Sequence, residues 1–197
     1  MKQLISLISL ALLLLATASP AQIDPGPDGF GIYFDEGATQ VSAEIGPDPG
    51  SITAYMVLTN PSLEGGIQGW LAGVSAMDGN PSIAMVFGHP TVGTNISTNM
   101  PGSGAWLFNV SISPEAPLPL ETITVLAILE ITPYVFDTPI PMYVTQHYNP
   151  GGYGIGGDGA SFQPSSGSWD LPVAVINGAA PVAVDSRSWD DLKALYR

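Results

Sequence analysis

The chain has 197 residues, with 17 Asp and Glu against 4 Lys and Arg, and no cysteine. Disulfides, thiolate metal sites, cysteine nucleophiles and lipid attachment at an amino-terminal Cys are therefore excluded. A formal net charge of −13 sets the surface against nucleic acid and anionic lipid.

The first segment, MKQLISLISLALLLLATASPAQ, has the three parts of a secretory signal: a basic start at Lys2, an apolar run from Leu4 to Ala16, and small residues at Ala16, Ala18, Ser19 and Ala21. A run this short points to cleavage and not to a membrane span. Cleavage after Ala21 is expected, leaving a secreted chain, extracellular or periplasmic, of about 176 residues. No later segment is long and apolar enough to cross a membrane. One β domain over residues 22–185 is expected, and without disulfides it must rely on its core.

Between Gln22 and Ser186 there is no Lys or Arg, while fifteen Asp and Glu fall in that span. The body can form no Lys or Arg salt bridge and cannot cradle phosphates with basic side chains. Such charge is read as serving solubility.

From Gly29 to Val182 the chain reads as strand after strand. FGIYF, SITAYMVL, GIQGWLAGV, SIAMVF, AWLFNVSIS, ITVLAILEI, IPMYVTQHY and LPVAVI are rich in β-branched and aromatic residues and bounded by Gly, Pro, Asn or Asp. In AWLFNVSIS the alternation turns Trp106, Phe108, Val110 and Ile112 one way and Asn109, Ser111 and Ser113 the other. ITVLAILEI is apolar on both faces, as in a strand at the centre of a sheet or under a covering segment. Eighteen prolines after residue 21 forbid long helices. No βαβ spacing or fixed-period repeat appears. Eight or nine short strands at this spacing predict an all-β, antiparallel two-sheet sandwich, cohesin-like or Ig-like.

The motifs that might carry chemistry do not reach a site. Gly154–Gly159, GIGGDG, matches G-x-G-x-x-G, but ASFQPSSGS follows it and cannot supply the helix that a dinucleotide site requires. DPGPDGFGIYFD places Asp24, Asp28, Gly29 and Asp35 at positions 1, 5, 6 and 12 of an EF-hand loop. Gly26 occupies position 3, the twelfth residue is Asp and not Glu, and strand sequence replaces the flanking helices. His89 and His147 have no third ligand in local spacing, so they read as a turn histidine and a half-exposed strand histidine. G-x-S-x-G is absent, and no two acids stand out as a hydrolytic pair. Trp70 and Trp169 are candidates for stacking on sugars, whereas Trp106 reads as core. Asn95-Ile96-Ser97 and Asn109-Val110-Ser111 are glycosylation sequons. No catalytic, cofactor-binding or metal residues are assigned, and no cofactor is expected.

The ending, DSRSWDDLKALYR, gathers Arg187, Lys193 and Arg197. Ser188 can cap a helix with Asp191 in the capping-box position, and Trp189, Leu192, Leu195 and Tyr196 fall on one side of it. A short amphipathic helix over 186–197 is predicted, serving as a cap across an open end of the sandwich or as an address or partner-binding peptide.

At ITAYMVLTNPSLEGGIQGWLAGV, residues 52–74, the layout resembles cohesin-like and related carbohydrate-module sandwiches, which share the apolar strand, the Asn-containing turn, the Gly-Ile core strand and a later strand like VLAILEI. The resemblance covers about residues 50–148 and rests on strand pattern. Where that family carries a YDP-type segment this chain reads AMDGN, so the resemblance implies the fold and not a dockerin partner. The ending from SSGSWDLPVAVING onward is similar to that of exported bacterial proteins to which no activity is attached.

The leading functional expectation is an exported, non-catalytic sandwich with a structural or interaction role at or beyond the cell surface. A carbohydrate-binding module comes second and a secreted glycoside hydrolase third. A protein or a polysaccharide is the partner class left open, with nucleic acid excluded.

Overall fold

The computed structural model describes residues 26–45, 50–76, 83–96, 105–134, 138–145, 154–156 and 161–181. The signal segment, His147, Asp24, Asp158 and the carboxy-terminal helix expected from the sequence lie outside these residues. Among the described residues there are twelve strands: β1 (Gly29–Tyr33), β2 (Ser42–Ala43), β3 (Ile52–Thr59), β4 (Gly69–Ala76), β5 (Ile83–Pro90), β6 (Thr94–Asn95), β7 (Ala105–Ser111), β8 (Ile123–Pro133), β9 (Ile140–Thr145), β10 (Gly154–Gly156), β11 (Gln163–Pro164) and β12 (Ala174–Ile176). No helix occurs among the described residues.

The strands make two sheets. One has the order β11-β1-β3-β8-β5; the other runs β2-β12-β9-β4-β7-β6, with β10 also on β4. The predicted two-sheet all-β sandwich is the fold. Its sheets are not purely antiparallel, however: β11 runs parallel to β1, and β2 runs parallel to β12. All four short strands the sequence did not reveal are two or three residues long. They are held by the ladder of a longer neighbour and not by a hydrophobic pattern of their own.

Alternation builds the core. Phe30 and Ile32 of β1, Ala54, Met56 and Leu58 of β3, and Leu126, Leu129 and Ile131 of β8 face Trp70, Ala72 and Val74 of β4, Phe108 and Val110 of β7, and Met142 and Val144 of β9. Each fully buried large side chain contributes about 1.5–3 kcal/mol of transfer free energy. Trp106, Phe108, Val110 and Ile112 point inward as the alternation predicts, Trp106 being half-buried. An aromatic file crosses the core: Trp169 meets Phe162 at 6.1 Å, Phe162 stacks on Phe30 at 4.4 Å, Phe30 meets Trp70 at 6.3 Å, and Trp70 stacks on Phe108 at 5.6 Å.

The two-sided apolar pattern of β8 has a local cause. A register shift opposite Met56 and Val57 inserts an extra residue, so Leu126 and Ala127 are both buried although they are adjacent. Beyond the bulge, Ile128, Glu130 and Thr132 face away from the core. Part of this outer face is covered: Ala38 and Val41, in the segment after β1, pack on Tyr33 and Val57 together with Tyr55, Ile123 and Val125.

Polar side chains fix the corners. Asp28 (φ 56°) and Asn60 (φ 47°) take the left-handed conformation that Asp and Asn tolerate best. The buried Asp28 carboxylate accepts from the backbone N–H and the hydroxyl of Ser62. Asn177 (φ 55°) ends β12, and its Oδ1 accepts from Ile45 N at 2.8 Å, tying β12 to the chain leaving β2.

One edge of β4 is shared by two strands. Thr145, the last residue of β9, pairs with Gly73, and Gly154, the first of β10, pairs with Leu71. The chain thus leaves the edge and returns to it at positions two residues apart.

Candidate interaction faces

The outer face of the seven-stranded sheet is built by the positions that alternate with the core. They are Gly69, Leu71, Gly73 and Ser75 of β4; Leu107, Asn109 and Ser111 of β7; and Pro141, Tyr143 and Thr145 of β9. Registry sets them in rows, Thr145–Gly73–Leu107 and Tyr143–Ser75 among them. Gly73 is required here. A Cβ at that position would collide with Thr145 Oγ1 and lie 3.2 Å from a Leu107 methyl and 3.1 Å from the Thr145 carbonyl oxygen. Without one, Leu107 and Thr145 close over the β4 backbone, and Leu107 is 7 % exposed although it points away from the core.

No strand of this sheet contains an Asp, Glu, Lys or Arg. In a chain of net charge −13, this face is therefore neutral by composition. Among the described residues, Glu130 is the one acidic residue on a strand of either sheet; the other described acids stand outside the strands.

The outer face of the five-stranded sheet differs. A row crosses four strands in register, Tyr33–Tyr55–Ile128–His89. Tyr33 is buried under the segment after β1, Tyr55 is half-buried, and Ile128 is 36 % exposed. Glu130 is the next outward residue of β8 after Ile128, and Tyr134, just past the strand end, is 62 % exposed.

The residues singled out in the sequence are dispersed. Asp28 and Asp35 stand at opposite ends of β1, about 20 Å apart at the rise of a strand, and cannot bind one ion. Asp28 is occupied by Ser62, and Asp35 accepts from the N–H groups of Thr39 and Gln40 and from the Thr39 hydroxyl, closing the turn after β1. His89 pairs with Ile128 at a second irregularity, on β5. Among the described residues no three of His, Asp and Glu group as metal ligands. Gly154–Gly156 is strand β10, not the mouth of a helix.

The sugar-stacking row does not form, because Trp70 is core at 2 % exposure and Trp169 leans on Phe162. Trp70 sits in β4 in phase with Ala72 and Val74, a signal the Gly-rich flank obscured in the sequence. Of the two sequons, Asn95 is engaged. Its Oδ1 accepts from Asn109 N at 3.2 Å and its Nδ2 is buried, so that amide is closed to modification in the folded chain. What sequence reasoning missed is the neutral face itself, which appears only once strand order places β9, β4 and β7 side by side.

The architecture defines the class: a two-sheet, all-β sandwich with mixed edges. No protein-family model and no curated protein matches the chain. Solved structures similar to it are cohesin modules. The type II cohesin dyad of the adaptor ScaA scaffoldin of Acetivibrio cellulolyticus is 15 % identical with a TM-score of 0.49, covering 77 % of this chain and 49 % of that one. The sixth cohesin of that organism's scaffoldin B, solved in complex with a Cel5 dockerin, is 14 % identical with a TM-score of 0.46, covering 78 % and 100 %. The seventh ScaB type I cohesin of Pseudobacteroides cellulosolvens is 14 % identical with a TM-score of 0.46, covering 81 % and 95 %. The cohesin-like resemblance read from the strand pattern agrees with these likenesses.

Proposed function

We propose that this protein is an exported, non-catalytic interaction module that binds a protein partner through the outer face of its seven-stranded sheet. The observation that carries this reading is the absence of charge from every strand of that sheet in a chain of net charge −13. Interface centres are depleted of charged residues and enriched in aromatic ones, and a sheet face of half-buried Leu71 and Tyr143 among Gly, Ser and Thr has that composition. A face without charge is also cheap to desolvate. The neutral centre offers apolar contact and hydroxyls, while the net charge of −13 disfavours acidic partners. Export rests on the signal segment, and mature protein recovered outside the cytoplasm should begin at Gln22.

The test places a photo-crosslinking residue at Ser75, on the neutral face, or at Thr53, on the outer face of the other sheet. Both proteins are exposed to the secreted and surface fractions of the source cells. A discrete protein adduct is expected from Ser75 and lost in Tyr143→Glu, a change at its half-buried cross-strand partner. The same adducts from Thr53, or none from Ser75, would sink the reading. An adduct to polysaccharide would favour the carbohydrate-binding alternative.

A further inference from the structure

We propose that Asn177 is a site of spontaneous covalent modification. It loses ammonia to Gly178 through a succinimide, and the isoaspartate formed releases the stretch around Glu44 from β12.

The chain contains one Asn with the neighbour this chemistry favours. The reaction is attack of the following backbone nitrogen on the side-chain carboxamide carbon. A following Pro has no N–H and blocks it, and a bulky residue slows it. Asn60, Asn80 and Asn149 precede Pro, while Asn95, Asn99 and Asn109 precede Ile, Met and Val; Asn177 alone precedes Gly. The bond from Gly178 N to Asn177 Cγ forms as the Cγ–Nδ2 bond breaks, and the Gly178 N–H proton leaves with the amide nitrogen as ammonia. Water then opens the ring at either carbonyl, giving Asp or isoaspartate.

The corner needs both residues. Asn177 has φ 55°, a left-handed conformation that Asn tolerates better than most residues. A Cβ on Gly178 would lie 2.7 Å from Val175 Cγ1 and 3.0 Å from Pro139 Cβ, so packing disfavours any side chain there. The geometry that ends β12 therefore keeps the reactive pair in place.

The same corner holds the reaction back. Asn177 Oδ1 accepts from Ile45 N at 2.8 Å, and Asn177 N donates to Ala43 O at 2.8 Å. Turning the carboxamide onto Gly178 N breaks the first of these bonds, so ring closure waits for the corner to open. That opening is local. β2 is two residues long, stands at the edge of its sheet and, among the described residues, pairs with β12 alone.

The two products differ in what they leave behind. Glu44 is the exposed residue between the two anchors, Ala43 O and Ile45 N. Isoaspartate carries the main chain through Cβ, one atom longer, so the spacing that met both anchors is lost. Asp keeps the normal backbone and an oxygen in place of Oδ1. Isoaspartate therefore frees residues 43–45, and Asp does not. These residues adjoin the segment whose Ala38 and Val41 close over Tyr33 and Val57, so the modification loosens one end of that cover.

Mature protein and the free peptide 173–181 are incubated at mildly alkaline pH and mapped by peptide mass after chymotrypsin digestion. The mass gain of deamidation should concentrate at Asn177 and arise at least about tenfold more slowly in the folded protein than in the peptide, because the reaction follows the open population. A glutamate-specific protease then reads the product, with the bond after exposed Glu64 as reference. Relative to that bond, cleavage after Glu44 should be at least about fivefold faster in the chromatographically resolved isoaspartate form than in fresh protein. Asn177→Asp should be cut at the fresh rate. Deamidation foremost at another Asn, or at the peptide rate in the folded chain, would overturn the gated site. An unchanged rate after Glu44 in the isoaspartate form would overturn the release. So would equal gains at both bonds, as general unfolding gives, or equally fast cleavage in Asn177→Asp.

Discussion

Thr145 lies across the backbone of Gly73: its hydroxyl oxygen occupies the place where a Cβ of residue 73 would project. The two residues are cross-strand partners of β9 and β4, so neither can move without shifting the ladder. Gly73→Ala should cost about 1–3 kcal/mol by overpacking. Thr145→Ala, which removes the obstructing hydroxyl, should recover part of that loss in a double-mutant cycle read by urea midpoints. Strict additivity of the two changes would show that the contact does not restrict residue 73.

Asp28 carries a second test. Its carboxylate is buried and accepts from Ser62 N at 2.7 Å and from the Ser62 hydroxyl, while its backbone sits at φ 56°. Asp28→Ala removes both the acceptors and the left-handed preference, leaving the Ser62 donors unpaired, and should cost about 2–4 kcal/mol. Asp28→Asn keeps one acceptor oxygen and the backbone preference and should cost clearly less. Equal losses from the two substitutions, measured by chemical denaturation, would assign the corner to something other than this carboxylate.

The buried indole of Trp70 makes no hydrogen bond through its Nε1 among the described residues. An unpaired buried donor costs about 1–3 kcal/mol, which offsets much of the packing lost when the ring is reduced. Trp70→Phe should therefore change stability by less than about 1.5 kcal/mol, against about 3–5 kcal/mol for Trp70→Ala. A Trp70→Phe loss as large as that of Trp70→Ala would mean that the N–H is satisfied.

Ionic strength should act in one direction. With no Lys or Arg between residues 22 and 186, added salt has no such ion pair to weaken in the body and screens only repulsion among the acids. Melting temperature should rise between low salt and 0.5 M NaCl by roughly 3 °C for each 1 kcal/mol of repulsion relieved. A fall would point to attractive contacts of the cationic segment 187–197 as the dominant charge effect.

The long strands were legible because their alternation is set by burial. β7 begins at Ala105 and β8 at Ile123, where the apolar runs begin, and β9 begins at Ile140. GIQGWLAGV reads as strand from Gly66, but Gly66 has φ 89° and Ile67 forms only an isolated bridge with Leu118 before β4 starts at Gly69. Periodicity cannot separate such a bridge from a ladder. The parallel edge pairs and the strand order were illegible, since two-residue strands such as Ser42–Ala43 carry no period at all. The neutral face inherits that limit: Gly73, Leu107 and Thr145 are spread over more than 70 positions of sequence, and only the ladder brings them together.

The edge of β4 that Thr145 leaves and Gly154 rejoins has a consequence for how this fold can diversify. The two departure points are bound to positions two residues apart, about 7 Å along the strand, so the ends of the intervening connection are pinned whatever its length. Doubling the length of such a connection costs only about 0.6 kcal/mol in closure entropy. Because both anchors adjoin the row that contains Gly73, new sequence inserted after Thr145 should appear at the border of the neutral face. A peptide grafted there would therefore be presented beside that face at a small cost in closure entropy.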